Sequence, residues 1–191
     1  MREVELKSVV DDVARCRSRV EAAGGTLRFA GTMEDRYYTR KDGGTGRLRI
    51  RTYQSPESQW SELTWKGGAS LEHGYKVREE LSTRVEDPST LRDILERTGF
   101  TPGEHLTREI AWYACGDATL RFEQFPRMDL LVEVEGSPEA IEGAIRVTGI
   151  PRERFTADRL KEFIRRFEAR TGTRAQLSGE APVHAPASAL D

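Results

Sequence analysis

In Glu3-Val4-Glu5-Leu6-Lys7, charged and apolar side chains alternate, and the same alternation recurs in nearly every other extended segment of the chain. Successive side chains of a β-strand point to opposite faces, so Glu3, Glu5 and Lys7 share one face while Val4 and Leu6 share the other. Arg47, Arg49 and Arg51 alternate with Leu48 and Ile50, and Glu62, Thr64 and Lys66 with Leu63 and Trp65. Arg121 and Glu123 alternate with Leu120 and Phe122, and Glu133 and Glu135 with Val132 and Val134. Lys76, Arg78 and Glu80 alternate with Val77 and Leu81, although Glu79 falls on the apolar side. An ordinary half-buried sheet would turn these charged faces to water. Solvent faces of strands, however, favour Thr, Ser and mixed polar residues over triplets of Arg and Glu. The chain also holds amphipathic helices whose apolar stripes need a sheet's apolar face. If helices cover the outside of a sheet that closes on itself, the charged faces line its interior. Arg and Lys set across a lumen from Glu clusters suit an anion carried together with a divalent metal.

The spacing of Val13, Ala14, Cys16, Val20 and Ala23 predicts a helix over Asp11 to Ala23, started by an Asp cap and stopped at Gly24-Gly25. Thr26 to Thr39 reads as extended, followed by a glycine-rich loop from Lys41 to Gly46. Strands are expected at Arg47–Tyr53, Trp60–Lys66 and Tyr75–Val85, separated at Pro56 and at the Gly67-Gly68 pair. Asp87-Pro88 opens a second helix that closes at Gly99, and three further strands fall at about 105–114, 117–125 and 129–136. Ser137-Pro138 opens a third helix, and Thr156 or Asp158 caps a fourth that ends near Gly172. One domain over residues 1–171 is expected, with residues 172–191, rich in Ala, Pro, Ser and Gly, as an unstructured tail.

Charge narrows the function classes. Lys and Arg number 30 against 32 Asp and Glu, a net charge of −2, which gives no basic footprint for nucleic acid. Arg outnumbers Lys, and Arg suits bidentate recognition of phosphate. Cys16 and Cys115 make neither a disulfide framework nor metal-ligand spacing. No apolar run approaches the length of a membrane span and no signal-peptide core precedes the first strand, so a soluble, cytoplasmic protein with no membrane partner is expected.

The ordered set Glu3-x-Glu5-x-Lys7, Asp35-x-Tyr37-Tyr38, Leu48-Arg49-Ile50-Arg51, Leu63-Thr64-Trp65-Lys66-Gly67, Arg78-x-Glu80, Arg108 and Val132-Glu133-Val134-Glu135 resembles the CYTH superfamily, the triphosphate tunnel metalloenzymes. The resemblance covers about residues 1–170 and is nearest to the class IV adenylyl cyclase-like branch. It implies an α+β fold: a closed eight-stranded antiparallel β-barrel, with helices outside and a triphosphate threaded within. It implies Mg²⁺ or Mn²⁺ held by Glu3, Glu5, Glu133 and Glu135, with Glu80 beside them; hard carboxylate oxygens are the ligands such ions take. Lys7, Arg47, Arg49, Lys66, Lys76, Arg78, Arg108 and Arg121 are the implied triphosphate-binding set. Lys7, Lys76, Arg108 and Glu123 are the residues placed at the reacting atoms, where catalysis is positioning plus charge stabilisation. The cyclase branch also implies a homodimer.

The chain departs from that pattern. Leu106 stands where a basic residue usually precedes the Arg by two positions, and Glu123 stands where an Asp is usual. If Cys115-Gly116 is a two-residue hairpin loop, Arg108 faces Glu123 directly, and Arg121 on the same face replaces the missing charge. His73, His105 and His184 share no ligand spacing, and Trp60, Trp65 and Trp112 read as packing on the outer face. Gly43-Gly44 lacks the strand-to-helix context of a phosphate loop, and Lys161 lies on the fourth helix, where family members sometimes lend a basic residue. Three functions stay open: conversion of ATP to cyclic AMP and pyrophosphate; hydrolysis of inorganic triphosphate, thiamine triphosphate or a nucleoside triphosphate; and binding of a triphosphate with little turnover.

Overall fold

The computed structural model describes residues 2–40, Gly43 and 46–179. Among them are eight strands: β1 (Arg2–Val9), β2 (Thr26–Arg40), β3 (Arg47–Gln54), β4 (Gln59–Glu72), β5 (Tyr75–Val85), β6 (Phe100–Cys115), β7 (Ala118–Gln124) and β8 (Leu131–Glu135). All pair antiparallel in the order β1-β5-β4-β3-β2-β6-β7-β8, and β8 pairs back onto β1 to close a barrel. Helices α1 (Val13–Ala22), α2 (Pro88–Arg97), α3 (Pro138–Thr148) and α4 (Leu160–Thr171) pack around it. Among the described residues no helix is long and apolar enough to cross a membrane.

Local chemistry sets the helix ends. Asp12 accepts a hydrogen bond from the Arg15 amide at 2.9 Å, and Asp87 accepts from the Ser89 and Thr90 amides at 3.0 and 2.9 Å, each satisfying donors left open in a first turn. Ser137 caps α3 in the same way through the Ala140 amide at 3.2 Å. Neither Thr156 nor Asp158 caps α4; its N-cap is Arg159, with no side-chain hydrogen bond, and Gly172 in the left-handed region ends it.

The main core lies outside the barrel. Leu6, Leu120, Val132 and Val134 point outward from β1, β7 and β8, and they pack with Cys16 and Val20 of α1 and Ile141 and Ile145 of α3. α2 covers Leu48, Ile50 and Leu63 of β3 and β4 through Leu91 and Leu95. With the apolar faces committed outward, strand parity turns the charged faces in.

Several boundaries differ from the sequence reading. Gly67-Gly68 is no gap between strands: β4 runs on to Glu72, and its register with β5 shifts between Lys66 and Ala69, a bulge that absorbs the glycine pair. β6 begins at Phe100, ahead of the expected start. The hairpin loop after β6 is Gly116-Asp117, with Cys115 pairing Ala118, so Glu123 pairs with Ile110 rather than Arg108. That slip is two residues, which preserves the face; Arg108 and Glu123 remain on the same side, diagonally placed. Trp60 and Trp112 are not on the outer surface. They meet Phe29, Met33, Tyr53 and Ile110 in a lumenal cluster where Tyr53 and Trp60 stack at 4.5 Å.

The expected tail boundary also moves. Gln176 exchanges backbone hydrogen bonds with Arg127 at 3.2 and 2.9 Å, the Leu177 carbonyl accepts from the Thr107 amide at 2.7 Å, and Leu177 packs in the cluster of Leu106, Phe125 and Phe163. Residues 172–179 are therefore a strap bound to the barrel. Residues 180–191 of the expected tail, and residues 41, 42, 44 and 45 of the glycine-rich loop, lie outside the described residues. At the end of that loop Gly46 has φ +90, and a Cβ there would meet the Trp65 indole Nε1 at 2.5 Å, so no other residue fits without displacing the indole.

Candidate active site in the barrel lumen

The lumen encloses a cavity of about 500 Å³, lined by Glu3, Glu5 and Lys7 of β1, Arg47, Arg49 and Arg51 of β3, Lys66 of β4, and Lys76 and Arg78 of β5. Arg108 of β6, Arg121 and Glu123 of β7 and Glu133 of β8 complete the charged wall. The sheet register explains the company these residues keep. Glu5 is paired with Lys76 on one side and Glu135 on the other, Glu3 with Arg78, Lys7 with Glu133, and Lys66 with Glu80.

Three acids converge. Glu3, Glu5 and Glu135 each place a carboxylate oxygen within 4.8 Å of the others. Burial, a hydrogen bond shared with Glu80 and the charges of Glu5 and Glu135 raise the Glu3 carboxyl to about 8. Glu80, which burial would raise, is instead held low by that hydrogen bond and by Lys66 and Arg49. The shared hydrogen bond pushes the two carboxyls apart, Glu3 upward and Glu80 downward. Three hard oxygens that repel one another fit a divalent cation, which would replace the proton. Glu133 and Glu80, expected in the metal set, keep different company here. Glu133 is ion-paired with Lys7 and Arg121, and Glu80 with Lys66.

The basic residues fall into two groups. In the first, Arg51 grips Asp35 at 2.6 and 2.8 Å, Arg108 reaches the same carboxylate at 3.0 Å, and Arg121 donates to Glu123 at 2.8 Å. Asp35 is fully buried; burial would raise its pKa, but Arg51, Arg108 and Arg49 hold it well below the usual carboxylate range. Glu123 is likewise held low against its burial by Arg108 and Arg121. Expected at the reacting atoms, Glu123 is instead an anchor for two guanidiniums. Asp35 carried no assigned role in the sequence reading, although its place in Asp35-x-Tyr37 shares the parity of the lumen face.

In the second group, donors are left over. Arg49 Nε, Arg78 Nε, and Arg108 Nε and Nη1 are buried with no hydrogen-bond acceptor. An unsatisfied buried donor costs about 1–3 kcal/mol, more when charged. These three residues line the cavity together with Lys66, whose ammonium is lowered to about 8 by burial and by Arg49. Lys76 and Lys7 both bond Glu5, Lys7 at 2.9 Å. Arg47 stands at the rim, 2.7 Å from Glu104 and stacked 4.2 Å over Tyr37. Arg121 is inside the lumen, as its parity requires. A polyanion entering here meets guanidiniums with unused donors, one of them Arg78 directly beside Glu3 of the acid cluster.

The mouth is different in kind. Leu106, Phe125 and Tyr37 meet Leu160 and Ile164 of α4 and Leu177 of the strap, with Arg159 and Lys161 at the start of α4 nearby.

The family model described as the CYTH domain matches residues 1–128. No curated protein sequence matches the chain. A candidate adenylate cyclase from Vibrio parahaemolyticus superposes with a TM-score of 0.71 at 15% identity, covering 85% of this chain and 97% of its own. A Pyrococcus horikoshii protein gives 0.69 at 21% identity, covering 86% and 98%. A Hippeastrum adenylyl cyclase candidate, described as having a dominant triphosphatase activity, gives 0.58 at 17% identity, covering 91% and 97%. At these identities the likeness is one of fold.

Proposed function

Because the chain belongs to the CYTH family, we propose that it is a divalent-metal-dependent enzyme acting on a triphosphate-containing substrate held in the lumen, with conversion of ATP to cyclic AMP and pyrophosphate as the leading reaction. The observation that carries the reading is the set of buried guanidinium nitrogens on Arg49, Arg78 and Arg108 that lack an acceptor, on residues lining the same cavity as Glu3 and Glu5, whose carboxylates gather with that of Glu135. Phosphate oxygens are the acceptors that complete those guanidiniums.

Glu3, Glu5 and Glu135 would hold Mg²⁺ or Mn²⁺. The chemistry such an ion supplies when bound is neutralisation of charge on the phosphate oxygens. The chain's own residues do the rest. Arg49, Arg78 and Lys66 bind and orient the phosphates, and Lys7 and Lys76, both on Glu5, set positive charge beside the acid cluster. Asp35 and Glu123 hold Arg51, Arg108 and Arg121 rigid, so that charge developing on phosphorus meets fixed donors. In the cyclase the ribose 3′-hydroxyl gives up its proton to water as its oxygen bonds to the α-phosphorus, the bond from that phosphorus to the bridging oxygen breaks, and pyrophosphate leaves.

A second reading is hydrolysis, in which water attacks the terminal phosphorus. Leu106 favours it, because an apolar side chain stands at the mouth where the cyclase pattern has a positive one; the Hippeastrum neighbour's described triphosphatase activity agrees. Phosphorus NMR of products from ATP, Mn²⁺ and purified protein decides between them. Pyrophosphate with cyclic AMP is the expected result. Orthophosphate with ADP selects the triphosphatase, and binding without any product overturns both.

A further inference from the structure

The cavity stops part-way down the barrel. On β3, Arg47, Arg49 and Arg51 line it, whereas Tyr53, the next lumen-facing residue, does not; on β6, Arg108 lines it, whereas Ile110 and Trp112 do not. Beyond that level aromatic rings fill the lumen. Tyr53 stacks on Trp60 at 4.5 Å, Phe29 meets the two rings edge-on at 5.5 and 5.0 Å, and Trp112 lies near-parallel to Tyr53 at 6.5 Å. Met33 and Ile110, both buried, fill the gaps between them. Gly31 makes the room, because a Cβ there would come within 3.0 Å of the Phe29 ring. Past the rings lies solvent: Arg84, whose side chain is 68% exposed, sits over Trp60 at 4.9 Å. Beside the stack, Thr64 is fully buried and is hydrogen-bonded at 3.0 Å to the exposed Ser82. On the remaining arc, across β1 and β8, the carboxylates of Glu3, Glu5 and Glu135 stand together, and Glu135 is not part of the cavity wall. Close-packed rings stop a chain by their volume, and carboxylates stop a polyanion by their charge.

From this arrangement we propose that the lumen is a blind pocket with one entrance, stoppered by Phe29, Tyr53, Trp60 and Trp112, so that the protein takes a linear polyphosphate by its chain end and is never threaded by it. The inference rests on the triphosphate reading of the lumen, and it departs from the threading that the family resemblance implies. Its consequence is a specificity for ends. Whatever the length of the chain, only its last phosphates reach the unpaired donors of Arg49, Arg78 and Arg108, and interior phosphates stay outside the mouth. Whatever is released from the pocket leaves by the way the substrate came in.

The test is the stoichiometry of binding to the metal-free protein, measured by calorimetric titration with tripolyphosphate and with linear polyphosphates of graded length, counting only protein that excess tripolyphosphate releases. The expected result is two proteins on every long chain, one at each end, whatever its length, with an affinity per end within about threefold of that for tripolyphosphate. A number per chain that rises with length means that one protein after another passes onto the same chain, and it overturns the blind pocket. The double variant Trp60→Ala, Trp112→Ala leaves the guanidiniums in place. It is expected to hold tripolyphosphate within about threefold of the native affinity while exceeding two proteins on the longest chain, its melting temperature showing that it folds. A folded double variant that stays at two overturns the rings as the stopper, and if the variant does not fold the native stoichiometry still decides. Failure of tripolyphosphate to bind the native protein overturns the triphosphate reading itself and this inference with it.

Discussion

Arg51 holds Asp35 through both carboxylate oxygens, at 2.6 and 2.8 Å, inside the barrel and shut off from water. The strand register makes this pair, since Asp35 of β2 and Arg51 of β3 are direct partners on the lumen face. Arg108 joins from β6, so one carboxylate fixes guanidiniums from two strands. A buried pair of this kind is a positioning device more than a source of stability, because the desolvation of both charges offsets their attraction. Breaking it is another matter.

Asp35→Asn leaves Arg51 without its counter-ion and removes one of the two carboxylates that hold Arg108, which keeps Glu123. A loss of about 3–5 kcal/mol in urea unfolding is expected, from the stranded buried charge. An unchanged midpoint would mean that the guanidiniums find other partners and that Asp35 organises nothing.

Arg78→Ala should behave in the opposite way to Arg51→Ala. Arg78 Nε has no acceptor, so its removal relieves an unsatisfied donor and leaves unfolding unaffected or slightly improved. It should weaken triphosphate binding by roughly tenfold to a hundredfold, the range of a charge-assisted hydrogen bond. Arg51→Ala should cost stability first. Calorimetric titration of tripolyphosphate beside urea unfolding separates the two effects.

The metal-free protein should lose stability as pH rises through the window from 4.5 to about 8. Glu3 keeps a proton in the fold to about 8 that the unfolded chain releases near 4.5, so the folded state binds more protons across that interval. Lys66, lowered to about 8 from 10.5, acts in the opposite sense only above that window. Divalent metal should reverse the Glu3 effect, because binding requires the carboxylate. At pH 7 its uptake should release about one proton, read from Mn²⁺ titrations in two buffers of different ionisation enthalpy. Proton-free uptake would place the metal away from Glu3.

Glu3→Gln combined with Glu5→Gln should abolish metal-dependent turnover while unfolding remains cooperative. Neither side chain packs in the outer core that α1 and α3 form on Leu6 and Val134. Retained activity would remove both residues from the metal set.

Much of this was legible because parity alone decides which side of a strand a residue faces. Glu5, Arg49, Lys66, Arg121 and Glu133 all line the lumen, and the two-residue slip in the β6–β7 loop changed no face. What the alternation does not encode is height along the barrel axis, which depends on strand tilt and stagger. Hence Glu135 joins Glu3 and Glu5, while Glu133, on the same strand and the same face, lies outside that trio and is ion-paired with Lys7 and Arg121, which reach Glu5 and Glu135 as well. Trp60 and Trp112 share the parity of the charged face, so position places them inside where residue type alone suggests outer packing. The strap escaped because Gly172 to Gly179 has no periodicity; its pairing with Arg127 and Thr107 is long-range, and no local pattern announces it.

The most direct test of the account is anomalous diffraction from crystals grown with Mn²⁺ and tripolyphosphate. The account predicts a manganese peak in contact with Glu3, Glu5 and Glu135, and phosphate density against Arg49, Arg78 and Arg108. Manganese and phosphate bound only outside the barrel, with the lumen clear of both, would contradict it.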